Sequence, residues 1–495
     1  MSVCKDDKQY PIPCREGYDE HLKDFEQSED CCVPQEMQRQ RAVYKSYDER
    51  YRVKDRNYER QYSQVYFYRL VKLRPIVIEA AEQKWPGVPY VRVLDVSEER
   101  EVFTVGTLYK EMALKPSILD EYTKERSLGQ QLGNARFAQA SDGAVLEDEN
   151  ARVTLARSAA GDDDGLDVGN MATGTVVAVR GKVAPSGEFV VVDTCFAGIP
   201  SQQIPLPSQS KASSGKTNGQ DVGGNGNQEE EEEKYVALMS GFSLGDEGAS
   251  HHLQMEMMLD YCSGILGAEP EQRLASRIVR VVVAGGILKG NASLSQPTAY
   301  ASVREQAMAL TPIRDADSML SELAQNVNVD IMPGVADPAN YSLPQQPLHP
   351  CLFPRAATLS TFTRCTNPHA FSLDGVSFLG TSGQNVDDIR RYTNMEECTD
   401  ILEKMLEWRH CIPTAPDSLA AYPYCDADPF ILDEAPHVLF AGGQPKFSTS
   451  LVKGPQGQTI RTVAIPEFSA LPVMVLISLK TLEATPVEFD AVINT

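Results

Sequence analysis

Val329-Asp-Ile-Met-Pro-Gly-Val-Ala-Asp337 decides the reading of the C-terminal half. Apolar residues gather from Val327 to Met332, Pro333 and Gly334 stop the run, and an acid follows: a strand running into a glycine turn. An apolar-striped helix from Asp317 precedes it. The same strand-and-turn pattern occurs twice upstream, as Tyr235 to Met239 entering Ser240-Gly-Phe-Ser-Leu-Gly245, and as Ile278 to Ala284 entering Ala284-Gly-Gly286. It returns at Phe440-Ala-Gly-Gly-Gln-Pro445. Strands alternating with helices predict an α/β domain over 235–495, and in such domains ligands bind where the strands end. Asn394-x-x-Glu397 has capping-box spacing and predicts a helix with Cys398, Ile401, Leu402, Met405 and Leu406 on one face. Strands dominate from His437 to Val492.

Toward the N-terminus, Ser201 to Gln228 is Ser, Gly, Gln and Asn with few apolar residues, and Glu229 to Glu233 follows, so 201–234 reads as an acidic flexible linker. Gly215-Lys-Thr217 inside it imitates a phosphate-loop ending, but Ser210 stands where glycine is required. In 86–200 the apolar period becomes two. Val102 to Tyr109, Val145 to Leu155, Thr173 to Val179 and Phe189 to Cys195 predict strands, punctuated by Glu149-Asn150 and Pro185-Ser-Gly187. Short strands with such turns suit a Greek-key barrel of the OB type. In 1–85, Tyr44, Tyr47, Tyr51, Tyr58, Tyr62, Tyr66, Leu70 and Leu73 recur at helical spacing, which predicts one Tyr-striped helix ended by Pro75. Asp48, Glu49, Asp55 and Glu59 lie among its basic residues, favouring a packed helix with a solvated face over a nucleic-acid stacking platform.

The 495 residues predict several domains, and 42% hydrophobic with 23% charged residues is ordinary globular usage. A formal charge of -23 argues against non-specific gripping of a phosphate backbone by the whole chain. The apolar run Leu471 to Leu479 is broken by Pro472 and falls short of the roughly 18–20 residues of a membrane span, so no membrane partner is expected. No secretory leader is expected either, and the 11 cysteines, Cys31 and Cys32 included, read as free thiols in a reducing compartment. Asn291-Ala-Ser and Asn340-Tyr-Ser then never meet a glycosylating enzyme.

Chemistry is missing where an α/β domain would keep it. The four turns resemble those of the calcineurin-like phosphoesterases, which carry Asp-x-His, Gly-Asp, Gly-Asn-His and Gly-His-x-His. Here Gly241 and Ser243 stand at the first turn, Gly286 at the second, and Gly443 and Pro445 at the last. Hydrolysis by two metals needs cations about 3.5–4 Å apart held by Asp, His and Asn. Only Asp337 remains, and one carboxylate does not assemble such a site. His251 and His252 are the obvious substitutes, but consecutive residues are expected to point apart. His437 precedes its strand, and His349 among prolines reads as a hydrogen-bonding loop residue. Gly380-Thr-Ser-Gly-Gln384 lacks the final glycine of a nucleophile elbow, leaving Ser382 without a special role. Asp162-Asp-Asp-Gly165 imitates a calcium loop, with Leu166 at a ligand position.

The stretch Val329 to Pro354, with Leu343-Pro-Gln-Gln-Pro-Leu-His-Pro-Cys-Leu-Phe-Pro354 at its end, resembles the B-subunit family, the second, regulatory subunits of eukaryotic DNA polymerase delta. Asp374-Gly-Val-Ser-Phe-Leu-Gly-Thr-Ser-Gly-Gln-Asn-Val386, His410 with Pro413-Thr-Ala-Pro-Asp417, and Asp428-Pro-Phe-Ile431 with Pro436-His-Val438 carry the same resemblance. Tyr68-Arg-Leu70, Val105-Gly-Thr-Leu108, Lys115-Pro-Ser-Ile-Leu119, Leu146-Glu-Asp-Glu149 and Thr173-Gly-Thr-Val176 extend it from about residue 60 to the C-terminus. The first sixty residues lie outside it, and the linker is longer than the family needs. The resemblance implies an α/β plus β fold: an OB-type barrel followed by a degenerate calcineurin-like phosphoesterase domain, a β-sandwich flanked by helices. It implies a nuclear, non-catalytic scaffold without a catalytic residue, metal or cofactor. Its expected partners are the Cys-rich C-terminal module of the catalytic polymerase subunit, the third polymerase delta subunit and polymerase zeta, with DNA contact indirect or weak. Gln345, Gln346 and His349 in the Pro-rich loop are candidates for a partner-docking edge, against the plainer reading of a rigid internal loop. The competing expectations are a metal-dependent phosphodiesterase or nuclease and a single-strand DNA-binding OB module. Neither fits well, for want of metal ligands and of aromatics interleaved with basic residues on the barrel strands.

Overall fold

A computed structural model describes residues 37–98, 100–116, 136–157, 165–202, 233–245, 251–289 and 310–490. Cys31, Cys32, Asp162 to Asp164, Gly215 to Thr217, Asn291 and most of the linker lie outside them.

Val102–Glu111 (β2), Gly143–Glu147 (β3), Arg152–Arg157 (β4), Val176–Val183 (β5) and Phe189–Cys195 (β6) form a closed barrel in the order β2-β3-β4-β6-β5. The run Val145 to Leu155 is thus two antiparallel strands turned at Glu149-Asn150. Alternate residues such as Leu108, Leu146, Val177 and Phe189 fill the barrel, as a period of two dictates.

The Tyr-striped segment differs from its expectation. Tyr44–Ser46 is a short strand (β1), Asp48–Tyr51 a 3-10 turn, and the helix is Ser63–Lys84 (α1). Tyrosine suits strands as well as helices, so its spacing alone did not fix the element. Pro75 lies inside α1 rather than ending it. Proline in a helix interior costs about 3 kcal/mol. Beyond it Val77, Ala81 and Trp85 are fully buried against Phe103, Val105 and Ala178 of the barrel. At about 1.5–3 kcal/mol for each large apolar side chain, that burial outweighs the proline.

Residues 233–490, joined by β1, form two six-stranded sheets. One joins β1 to His369–Leu373 (β11), Val376–Thr381 (β12), Val438–Gln444 (β13), Ser448–Lys453 (β14) and Thr459–Pro466 (β15), in the order β1-β11-β12-β13-β15-β14. The other joins Tyr235–Met239 (β7), Ile278–Ala284 (β8), Asn328–Met332 (β9), Phe362–Arg364 (β10), Val473–Ser478 (β16) and Ala484–Glu488 (β17), in the order β10-β9-β8-β7-β16-β17. Leu238, Val282, Phe371, Phe378, Phe440 and Val475, drawn from both sheets, meet in one buried cluster. The other face of the second sheet packs on His252–Ser263 (α2), Glu269–Ser276 (α3) and Thr311–Asn326 (α4). That of the first packs on Gln384–Tyr392 (α5) and Cys398–Trp408 (α6). This is a mixed α/β arrangement, and its strands β7 and β8 have the bounds that the sequence predicts.

Two helix starts move. Helix α4 opens at Thr311 with Pro312 in its first turn, before the expected Asp317. Helix α6 opens at Cys398 with Glu397 as an extended N-cap, and Asn394, the expected cap, donates its backbone N–H to Gly169 O at 2.8 Å. All five residues expected on its apolar face are buried. Among the described residues no helix is long and apolar enough to cross a membrane.

Candidate functional site

The turns after β7, β8, β9, β12 and β13 converge, and backbone fills the place where they meet. Gly241 N–H donates to Gly285 O at 3.0 Å, and Ser243 N–H to Gly286 O at 3.0 Å. A Cβ on Gly286 would lie 2.9 Å from Gly241 Cα, and one on Gly285 would lie 2.8 Å from Gly334 Cα. On Gly442 it would meet Ala284 O at 2.4 Å, and on Gly383 it would meet Gly442 O at 2.1 Å. Gly241 and Gly286 also have φ of +67° and +71°, which L residues rarely adopt. These glycines pack against one another's main chain, so a side chain at any of them would meet backbone.

Asp337, at the turn after β9, is buried and committed to the backbone. Its Oδ2 accepts from Gly286 N–H at 2.9 Å and Gly334 N–H at 2.8 Å, and its Oδ1 from Leu288 N–H at 2.9 Å. Burial raises its pKa against the pull of those backbone contacts. Ser240 Oγ donates to Pro466 O at 3.1 Å and accepts from Gly443 N–H at 2.7 Å. Ser382 Oγ accepts from Asn367 Nδ2 at 2.7 Å. The polar groups of the turns therefore bind the turns together.

The histidines also hold structure. The rings of His251 and His252 lie nearly parallel, 5.8 Å apart, where consecutive residues were expected to diverge. His251 precedes α2 in a non-helical conformation, which turns its ring toward its neighbour. It is buried with Nε2 on Phe242 O at 2.8 Å, whereas His252 is exposed, so the two offer no shared metal site. His437 Nδ1 accepts Ser377 N–H at 3.0 Å, before its strand as expected.

The Pro-rich loop divides the three docking candidates. Gln345 is 2% exposed; its Nε2 donates to Gly334 O and Asn340 O, and its Oε1 accepts from Asn367 and Gln384. This corrects its reading as a surface contact, because a side chain with every polar atom used on Gly334, Asn340, Asn367 and Gln384 presents nothing to a partner. Gln346 is half-buried and grips the N-terminal segment through Tyr51 O at 3.0 Å and Val53 N–H at 3.1 Å. His349 is exposed, its Nδ1 accepting Cys351 N–H at 3.2 Å. A cavity of about 250 Å³ is lined by Val53, Arg56 and Tyr58 from the N-terminal segment and by Asn340, Gln346 and His349 from the loop side.

The family model for the B-subunits of DNA polymerases alpha and epsilon matches residues 236–449, and the DNA polymerase delta subunit OB-fold domain model matches residues 61–194. The DNA polymerase delta small subunit of Oryza sativa subsp. japonica is 43% identical over 456 residues, covering 92% of this chain and 99% of that protein. The chain belongs to the DNA polymerase delta small-subunit family. DNA polymerase delta subunit 2 of Drosophila melanogaster is 34% identical over 90% of this small-subunit chain and 97% of that protein. The DNA polymerase II small subunit of Methanothermobacter thermautotrophicus is 25% identical over 43% of this chain and 44% of that protein. The OB-fold match contains the closed barrel, as the period of two in 86–200 predicted.

Two buried charge clusters of this small-subunit chain escaped sequence reasoning. In the first, Arg69 Nε donates to Asp428 Oδ2 at 2.8 Å, and His410 Nε2 donates to the same oxygen at 2.9 Å. His410 Nδ1 accepts Ile412 N–H at 3.1 Å, so that nitrogen carries no proton and the ring is neutral. Burial, then the Arg69 charge, pushes its pKa down to about 4. The unfolded chain takes up a proton near the ordinary histidine value and the folded chain does not. Stability is therefore complete above about pH 6.5 and falls by up to about 3 kcal/mol toward pH 4. Urea unfolding across that range should show this slope, and His410→Asn should flatten it; an unchanged slope means another group titrates. The second cluster gathers Asp48, Asp330, Cys365 and His369. Asp48, Cys365 and His369 are metal-ligand types within 4.8 Å of one another. The two carboxylates and the imidazole are instead taken by hydrogen bonds, to which Arg280 adds its own to Asp330. Arg69, His410 and Asp428 lie in stretches that carry the family resemblance, but in both clusters the members come from segments far apart in sequence, so their meeting could not be read from any one stretch.

Proposed function

We propose that this chain is the non-catalytic assembly subunit of the DNA polymerase delta complex. It would hold the Cys-rich C-terminal module of the catalytic subunit and bridge to the third subunit, in the nucleus, with shared use by polymerase zeta. The observation that carries this reading is the convergence of strand-end turns filled by glycine backbone. Such turns keep the strand-end position where α/β domains bind ligands, but at their glycines main chain stands where a ligating side chain would have to begin. Family membership supplies the complex, and the net charge of -23 suits a subunit that leaves the DNA backbone to others. We read residues 86–200 as an OB domain, 201–234 as linker and 235–495 as an inactivated calcineurin-like phosphoesterase domain, with 1–85 as an N-terminal segment. The paired sheets covered by helices on their outer faces support that assignment of 235–495.

The test is co-purification of the full chain with the C-terminal module of the catalytic subunit, alongside a manganese-dependent phosphodiesterase assay on the same preparation. One-to-one binding without turnover is expected. Chelator-sensitive turnover would restore the hydrolase reading, and absence of binding would remove the scaffold. Of the loop candidates, we assign docking to exposed His349 beside its cavity. His349→Ala is expected to weaken binding of one partner about tenfold, roughly 1.4 kcal/mol, with stability unchanged. Unaltered co-purification would end the docking proposal. Gln345→Ala is expected to act through loop stability and lower the unfolding midpoint.

A further inference from the structure

Strand β1 is too short to hold the N-terminal segment in place, having only the three pairings Tyr44↔Leu373, Lys45↔Ser372 and Ser46↔Phe371. The segment is nonetheless bolted through the interior. Asp48 is 3% exposed, and its two oxygens reach His369 Nδ1 at 2.8 and 2.9 Å; one also accepts Ala370 N–H at 2.9 Å. His369 is fully buried, and its Nε2 faces Asp330 Oδ2 at 3.4 Å. The other Asp330 oxygen accepts from Arg280, and the Arg280 guanidinium lies 3.6 Å from the centroid of the Tyr44 ring. The chain of contacts thus leaves the segment at Asp48, crosses the domain, and returns to it at Tyr44.

Both imidazole nitrogens of His369 face carboxylates, which only accept, so each nitrogen must carry a proton. A neutral ring would also leave two carboxylates buried against one guanidinium, and an unmatched buried charge costs several kcal/mol. His410, with one nitrogen donating and the other accepting, is the neutral contrast in the same molecule.

We propose that His369 is a buried imidazolium that locks residues Tyr44–Tyr51 onto the domain, and that this strap is released when the ring loses its proton in alkaline solution. Facing the ring are Asp48 and Tyr51 from the 3-10 turn, Tyr44 from β1, Arg280 from β8, Asp330 from β9 and Cys365 after β10; Phe371 stacks on it at 4.7 Å. Burial alone would lower the His369 pKa, but Cys365 and the hydrogen-bonded Asp330 and Asp48 hold it well above the ordinary histidine range. A raised pKa gives a contribution that is complete below the unfolded value and lost as pH rises through the folded one. Just beyond the strap, Val53 and Tyr58 line the cavity beside His349, so release would take away that wall.

The test uses the full chain with ¹⁵N-labelled histidine, the His369 signals being assigned by their loss in His369→Gln. Two protonated ring nitrogens near neutral pH are expected; a neutral-tautomer pattern there overturns the proposal. Hydrogen exchange over 44–51, corrected for intrinsic rates, gives the second readout. Protection should fall at least tenfold in Asp48→Asn while the barrel strands are unaffected, and in wild type it should fall as the pH is raised from neutral into the alkaline range. Unchanged protection in Asp48→Asn, or no fall with pH, also overturns it. So does one equivalent of tightly bound zinc in the native mass, which would make the cluster a metal site.

Discussion

Gly286→Asp, which places a carboxylate at the second strand-end turn, is expected to cost more than about 3 kcal/mol and to yield no manganese-dependent hydrolysis. The new Cβ would stand 2.9 Å from Gly241 Cα and 3.1 Å from Gly241 N, and main-chain atoms cannot swing aside as a side-chain tip can. Overpacking of this kind costs about 1–3 kcal/mol. The φ of +71° adds about 1–2 kcal/mol for any residue with a Cβ. A third cost is electrostatic. Asp337 already accepts the Gly286 N–H at 2.9 Å, so a second carboxylate would be placed near a buried one. Gly187→Asp is the control: its φ is +88°, but nothing lies within 4 Å of the added Cβ, so only the conformational cost of about 1–2 kcal/mol applies. Urea unfolding of both variants separates crowding from φ strain. A stable, hydrolytic Gly286→Asp protein would mean that the turns retain a latent site, and the reading of a filled cleft would fall.

What the sequence made legible was local. Tyr235–Met239 and Ile278–Ala284 are short, mostly apolar runs closed by glycine turns, and their strand bounds follow from that pattern. The apolar face of α6 was legible for the same reason, since Cys398, Ile401, Leu402, Met405 and Leu406 recur at helical spacing. That glycine and proline stand at the strand-end turns could be read directly, because it concerns which residue occupies a position. The packing of those glycines on one another's main chain could not, because that depends on how turns from five strands approach one another. The Tyr44–Tyr66 stripe misled for a related reason: a period of three and four describes an isolated helix, whereas pairing with β11 converts Tyr44–Ser46 into an edge strand. At Gln345 the sequence left two readings of the Pro-rich loop, since prolines stiffen an internal loop and an exposed edge alike; hydrogen bonds to Gly334 and Asn340 draw that side chain inward.

Arg69→Ala is expected to destabilise the protein by about 3–5 kcal/mol, the cost of leaving a buried charge without its partner. Arg69 is fully buried, and its guanidinium uses three nitrogens: Nε on Asp428 at 2.8 Å, Nη1 on Gly174 O at 3.0 Å and Pro413 O at 2.7 Å, and Nη2 on Ala415 O at 2.9 Å. Tyr68-Arg-Leu70, Thr173-Gly-Thr-Val176, Pro413-Thr-Ala-Pro-Asp417 and Asp428-Pro-Phe-Ile431, four stretches that carry the family resemblance, thus meet at one side chain. They join α1, the barrel and the two-sheet domain. Burial alone would raise the Asp428 pKa, but its neighbours His410 and Arg69 hold it far below the ordinary carboxylate range. Without Arg69 that anion must take up a proton or stay unmatched. Lysine is a poor substitute, because one ammonium cannot reproduce the planar fork that meets three carbonyls and a carboxylate, so Arg69→Lys should recover less than half of the loss. Arg69→Met with Asp428→Asn should be milder than Arg69→Ala, since no charge is then left buried. Calorimetry of the three variants checks the order. A loss under about 1 kcal/mol would mean that water reaches Asp428 and that packing along α1 fixes the barrel instead. A loss of the expected size gives the scaffold reading its physical basis, since a surface that must meet two partners at once has to keep its domains in one arrangement.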